Sequence, residues 1–168
     1  MPRISLLFDT ADAVLSTCNH YRYQLTRQWE VRLGTVVFVM LNPSTADARM
    51  DDPTIRRCIS FARTWGYGGI NVVNLFAWRA TNPAELKTIA DPVGPDNDQY
   101  LLNAFAQAPM VVVAWGMHAP AARVQEVSRL MQRTAIIPQC LGATQAGHPR
   151  HPLYVPRARQ LEDYTLPS

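Results

Sequence analysis

Lysine is nearly missing from this chain. Lys87 stands alone among 16 basic residues, so arginine carries the positive charge. Arginine suits planar, bidentate contact with phosphate or carboxylate, although an arginine-biased genome would give the same count. The net charge of +3 is compatible with a polyanionic partner but too small to demonstrate one. Cysteine is also sparse: Cys18, Cys58 and Cys140 are scattered, odd in number and unpaired in spacing. That excludes a disulfide framework and argues against a metal site, leaving reduced and mostly buried thiols. His20, His118, His148 and His151 lack the i, i+4 spacing of a metal-binding helix. No apolar run approaches the roughly 20 residues of a membrane span, and no basic-apolar-small signal pattern opens the chain. The expectation is a cytoplasmic protein with no membrane, metal or cofactor partner. Repeats and low-complexity segments are absent, and no serine sits in a nucleophile elbow.

What is present is globular. With 168 residues, 48% of them hydrophobic and 17% charged, one domain spanning 1–168 can bury a real core, expected over about 21–156. The chain is organised around Val36–Leu41, a buried apolar run that stops at Asn42-Pro43-Ser44-Thr45. Such a run suits a central parallel strand, and Asn42 then sits where open α/β sheets place their ligands. Ile70–Phe76 is a second such strand, with Asn74 near its end. Pro109–Ala114 is a third, closed by Trp115-Gly116, and Thr134–Cys140 can supply a fourth. A buried asparagine is costly unless its amide is satisfied, so two at neighbouring strand ends suggest one shared crevice.

Before the first of these strands, Tyr21, Tyr23 and Leu25 alternate with Arg22, Gln24 and Thr26, which predicts a half-exposed strand with Arg22 solvated. Residues 28–34 are expected to turn it back antiparallel onto Thr35–Leu41. Asp52 and Pro53 read as the cap and first position of a helix running to Gly66, with Ile55, Cys58, Ile59, Ala62 and Trp65 on its apolar stripe. Asp51 or Asp52 has a second reading as an acid or base beside the Asn42 turn. Gly66-Tyr67-Gly68-Gly69 precedes a strand, so it is a turn and not a phosphate loop. A short helix follows Pro83, another opens at Asp96 or Asn97, and one spans about 119–133. The start of that last helix, beside His118, offers free N–H groups to an anion. Residues 147–156, GHPRHPLYVP, are stiffened by prolines and hold His148, Arg150 and His151 on one loop.

These motifs carry a resemblance. MLNPSTADARMDDPTIRRC, VVNLFAWRATNP, DPVGPDND, VVAWGMHA and GHPRHPLY together resemble the bacterial family DUF1643, a domain of unknown function, from about Tyr21 to Pro156. More distantly, the order of strand-end motifs is similar to the uracil-DNA glycosylase superfamily. VMLNPS resembles its Ile-Asn-Pro-Gly turn, VVNLF its base-reading segment, VVAWGMHA its Leu-Trp-Gly-x-x-Ala segment, and HPRHPL its closing His-Pro-Ser-Pro-Leu loop. Ser44 stands where that superfamily has glycine, and Arg150-His151 where it has serine.

That resemblance implies a three-layer αβα sandwich around a mainly parallel four-stranded sheet, with an added N-terminal antiparallel strand. It implies that Asn42 orients water, Asn74 hydrogen-bonds a base, and His151, or in its place His148, stabilises developing charge. Leu153 or Tyr154 would be the wedge, and Phe76 or Trp78 would stack on the base. Ser44, Trp115, Gly116 and Arg150 complete the implied substrate site. The expected activity is glycosylase-like hydrolysis of an N-glycosidic bond in DNA or a nucleotide. The alternatives are a non-catalytic reader of the same fold, or a structural domain with a vestigial crevice.

Overall fold

The computed structural model describes residues 10–167. Residues 1–9 and Ser168, the ends of the expected domain, lie outside these, and so does the start of the chain on which the expectation of no signal pattern rests. The described chain forms one seven-stranded mixed sheet in the order β1-β2-β4-β3-β5-β6-β7. The strands are β1 (Thr10–Leu15), β2 (Arg22–Gln28), β3 (Thr35–Met40), β4 (Gly69–Asn74), β5 (Met110–Val113), β6 (Gln139–Cys140) and β7 (Glu162–Asp163). The centre, β4-β3-β5-β6, is parallel; β1, β2 and β7 are antiparallel additions at the two sides. The parallel centre has the expected four strands. The single N-terminal strand expected beside it is instead a pair, and the far edge gains β7.

The predicted antiparallel pairing of β2 with β3 does not occur. β2 lies against β4, with Leu25 opposite Val72 and Gln28 opposite Gly69. The reason is a crossing at Gly68. The backbone N–H groups of Trp29 and Glu30 both donate to the Gly68 carbonyl, and the Gly68 N–H donates to Gly34. A Cβ on Gly68 would lie 1.7 Å from the Glu30 carbonyl oxygen, so only glycine lets the link pass. The chain therefore steps over the turn before β4 and starts β3 on the other side.

Helix α1 (Pro53–Thr64) begins as expected: Asp52 Oδ1 accepts from the Ile55 N–H at 2.9 Å and Pro53 occupies the first turn. It ends in a Schellman arrangement, Gly66 to Arg63 and Tyr67 to Ala62, with Gly66 at φ +84. Its buried Ile55, Cys58, Ile59, Phe61 and Ala62 pack on the sheet face formed by Leu25, Val36, Phe38, Met40, Ile70, Val72, Val112 and Ala114. Helices α2 (Asn97–Gln107) and α3 (Ala121–Arg133) cover the opposite face, where Leu101, Phe105, Val127 and Met131 meet Val37, Val39, Val73, Val111 and Val113. Each such fully buried aliphatic or aromatic side chain contributes about 1.5–3 kcal/mol, so both faces hold the strand ends firmly. Among the described residues, no helix is long and apolar enough to cross a membrane.

Strand order sets the site. β3 connects through α1 to β4 on one side, and the chain then crosses to β5 on the other side of β3. Connections that diverge at adjacent strands leave a crevice outside their carboxyl ends.

Candidate functional site

A cavity of about 570 Å³ opens at that crevice. Its walls come from the carboxyl ends of β3 (Met40 to Asn42, and Ser44), β4 (Asn74) and β5 (Trp115 to His118), from the start of α1 (Asp52, Thr54, Ile55), and from the closing loop (Pro149 to His151, Leu153, Tyr154). The volume falls in the range of small-molecule sites.

Asn74 is the most unusual wall residue. It is 0% exposed, yet neither its Oδ1 nor its Nδ2 has a hydrogen-bond partner. Its position is rigid: Met40 is its β3 neighbour, and its own carbonyl accepts from Asn97 Nδ2 at 3.0 Å. An orphaned buried amide costs roughly 1–3 kcal/mol, which a ligand with a donor and an acceptor side by side would recover.

Asn42 is oriented from behind. Its Nδ2 donates to the Pro43 and Ala80 carbonyls at 3.0 and 2.8 Å. Two acceptor partners require the amide nitrogen there, which leaves Oδ1 as the group free to accept from a bound molecule. Its Pro43 neighbour is itself held, because its carbonyl also accepts from the Ala80 N–H.

The closing loop is tied down by backbone bonds. Gly116 donates to the Pro149 carbonyl, Arg150 to Gly142, and Thr144 to His148, each at 2.9 Å. His151 then caps a short 3-10 turn over Pro152–Tyr154, its Nδ1 accepting from the Leu153 N–H at 3.1 Å. An accepting Nδ1 puts the proton of the neutral ring on Nε2, making it a donor. Burial holds the His151 imidazole below its usual pKa, with the Asp52 charge partly opposing.

Asp52 is the cap that was expected, its Oδ1 capping α1, and it also stands at the cavity. Ser44, Trp115, Gly116, Arg150, Leu153 and Tyr154 line it as well, with Tyr154 and Leu153 exposed at the mouth. Phe76, Trp78 and His148 do not. Phe76 is buried in the apolar cluster under α2 and α3. Trp78 bridges to Tyr21, packs against the His20 and Tyr21 rings, and leans on the apolar cluster under α2 and α3. His148 exchanges both its backbone bonds with Thr144. His118 lines the cavity, but α3 begins after Pro120, and its first residues are not in the wall.

Sequence reasoning missed one wall residue of consequence. Arg22, expected to be solvated, is 2% exposed and faces the cavity. In β1 and β2, Leu15 pairs with Arg22 while Val14 pairs with Gln24, so Tyr23 is an extra residue and the strand bulges. A bulge reverses the side-chain phase, and it turns Arg22 onto the face of Leu25 and Arg27. Its Nη1 reaches the Ala46 carbonyl at 2.9 Å, in the segment that Arg27 also holds.

The chain is thus an α/β protein with a mostly apolar cavity, into which a few polar side chains converge, at the carboxyl ends of its parallel strands. It belongs to the family DUF1643, proteins of unknown function, which matches over residues 22–153. No curated protein and no solved structure matches the chain. Among the described residues, no cluster of three or more histidine, cysteine, aspartate or glutamate side chains could hold a metal ion.

Proposed function

We propose that this cavity binds a nucleobase and that the protein hydrolyses the N-glycosidic bond holding it, in a nucleotide or in nucleic acid. The observation that carries the reading is the unpartnered, fully buried Asn74 amide in the cavity wall. A carboxamide offers one acceptor and one donor edge, the complement of a base edge that pairs a carbonyl or ring nitrogen with an N–H. The likeness to uracil-DNA glycosylases rests on sequence motifs alone and adds the same roles for Asn42 and His151.

The chemistry follows from the side chains present. Asn42 Oδ1 accepts from a water and aims it at the sugar C1′. Water oxygen bonds to C1′ as the C1′–N bond breaks, and the bonding pair leaves with the base. His151 Nε2–H meets the negative charge growing on the base, where a fixed donor lowers the barrier. The second oxygen of Asp52 takes the water proton, which the released base then acquires. Trp115 supplies an apolar wall for the ring.

A second reading, base binding without cleavage, is favoured by one feature. Asn42 is an amide and takes no proton, and Asp52 is half committed to its cap. Incubation with oligonucleotides and nucleotides bearing normal, deaminated, oxidised and alkylated bases separates the two. Base release that disappears in Asn42→Ala is the expected result. Binding without release, weakened by about 1–3 kcal/mol in Asn74→Ala, selects the second reading. No base-dependent binding at all removes both.

A further inference from the structure

Arg22 brings into the cavity a charge that the protein leaves open. A guanidinium taken out of water is costly unless its donors and charge are met. Of its five N–H donors, one on Nη1 reaches the Ala46 carbonyl, while the buried Nε has no partner. No carboxylate among the described residues is in salt-bridge contact with it. Asp52, on the same cavity wall, favours its charged form from further away. Burial is the largest influence on Arg22 and lowers its pKa to about 10, which still leaves it a cation at neutral pH. The bulge at Tyr23 is what aims it here; an unbroken strand would have turned it to the other face.

We propose that Arg22 anchors a phosphate group, and that the ligand of this cavity is a free nucleoside monophosphate held by its phosphate as well as its base. The proposal rests on the base-binding reading of the same cavity. A planar guanidinium with open donors matches a tetrahedral or planar oxyanion through two parallel bonds. A terminal phosphate can be carried whole to a residue this deeply buried. A phosphodiester must let its chain leave on both sides, and would find its cations at the rim, where Arg150 is exposed.

Calorimetric titration of the purified protein decides it. The probes are inorganic phosphate, ribose 5-phosphate, the common nucleosides and deoxynucleosides, their 5′-monophosphates, and a single-stranded trinucleotide of the best-bound base. The expected result is that a monophosphate binds about 10- to 100-fold tighter than its nucleoside. Arg22→Gln should erase that difference while leaving nucleoside affinity intact, and Arg22→Lys should keep part of it. Equal affinity for nucleoside and monophosphate overturns the phosphate anchor and leaves the base reading standing. Ribose 5-phosphate binding as tightly as any nucleotide, unaffected by Asn74→Ala, keeps the anion site and removes the base reading. A trinucleotide binding tighter than the monophosphate, with the same dependence on Arg22, overturns the free nucleotide as ligand. If Arg22→Gln does not fold, the comparison of nucleoside with monophosphate on the unaltered protein, with inorganic phosphate as competitor, decides alone. Binding of none of the probes overturns the proposal.

Discussion

Arg22 and Arg27 leave the same strand five residues apart, reach the same side of the sheet and are both buried, but only one is finished. Arg27, 0% exposed, gives Nε to Asp51 at 2.9 Å, Nη1 to the Thr26 and Asp12 carbonyls, and Nη2 to the Asp47 and Met50 carbonyls. Its Nε and Nη2 arms fix residues 47–51, the segment between the Asn42 turn and α1, and its Nη1 arm is spent on the β1 and β2 backbone. Arg123, the other buried arginine among the described residues, is similarly occupied by Leu75, Asp98 and Glu126. The Arg22 guanidinium makes one hydrogen bond. A guanidinium with all its donors engaged is holding the fold together; one with donors left over inside a cavity is holding a place for something else.

The largest expected effect tests the finished member. Arg27→Met removes the pairing of Asp51 and strips donors from several carbonyls, so it should cost about 3 kcal/mol, the lower end for breaking a buried pair because Asp51 is partly exposed. The drop in the urea midpoint measures it. Arg22→Met should stay within about 1 kcal/mol of the unaltered protein, since it deletes a buried Nε that had no partner. Equal losses in the two variants would break the distinction and make Arg22 a structural residue.

Two asparagines at the end of β4 repeat the contrast at smaller scale. Asn97 is buried at the start of α2; its Oδ1 has no partner, but its Nδ2 donates to the Asn74 and Leu75 carbonyls. Asn74 makes no side-chain bond. Asn97→Leu should lower stability by about 1–2 kcal/mol. Asn74→Leu should leave stability unchanged or raise it by up to about 1 kcal/mol, while base binding is lost. Thermal unfolding of the two variants side by side makes the check, and destabilisation of Asn74→Leu by as much as Asn97→Leu would show that its amide serves the fold.

The residues legible from sequence were those whose signal is local. Apolar runs marked β3, β4 and β5, the Asp52-Pro53 pair marked the start of α1, and turn formers after each run marked where Asn42, Asn74 and Trp115 would emerge. These do line one cavity. What could not be read depends on pairing between distant segments. β2 joins β4 because Gly68 lets the chain cross, and nothing within residues 21–34 announces that. Arg22 was misplaced because strict alternation assumes no bulge, and the bulge exists only in the register with β1. Phe76 was read as the last residue of the second apolar strand, but β4 ends at Asn74, and Phe76 and Trp78 follow that end by two and four residues, where the chain has turned away from the cavity. β6 keeps only the last two residues of the expected Thr134–Cys140 strand, and β7 is two residues long and carries no pattern.

The smallest effect concerns His151, whose neutral form the fold prefers. Burial lowers its folded pKa below the unfolded value of about 6.5, and Asp52 only partly offsets this. Above that value the ring is neutral in both states and its contribution is complete. As pH falls toward the lower folded pKa, the unfolded chain binds the proton first, so stability declines. Protonation also removes the Nδ1 acceptor of the Leu153 N–H. Asn is a good substitute at such a cap and does not titrate. From about pH 7 to about pH 5, the stability of the unaltered protein should therefore fall relative to His151→Asn, by about 1 kcal/mol or less. Activity should fail only at a pH lower than an unperturbed histidine would set, because the working form is the Nε2–H donor of a neutral ring. A loss of activity as pH rises through about 6.5 would instead mean that the charged ring does the work, and the closing loop would join Arg22 as a cationic arm of the site.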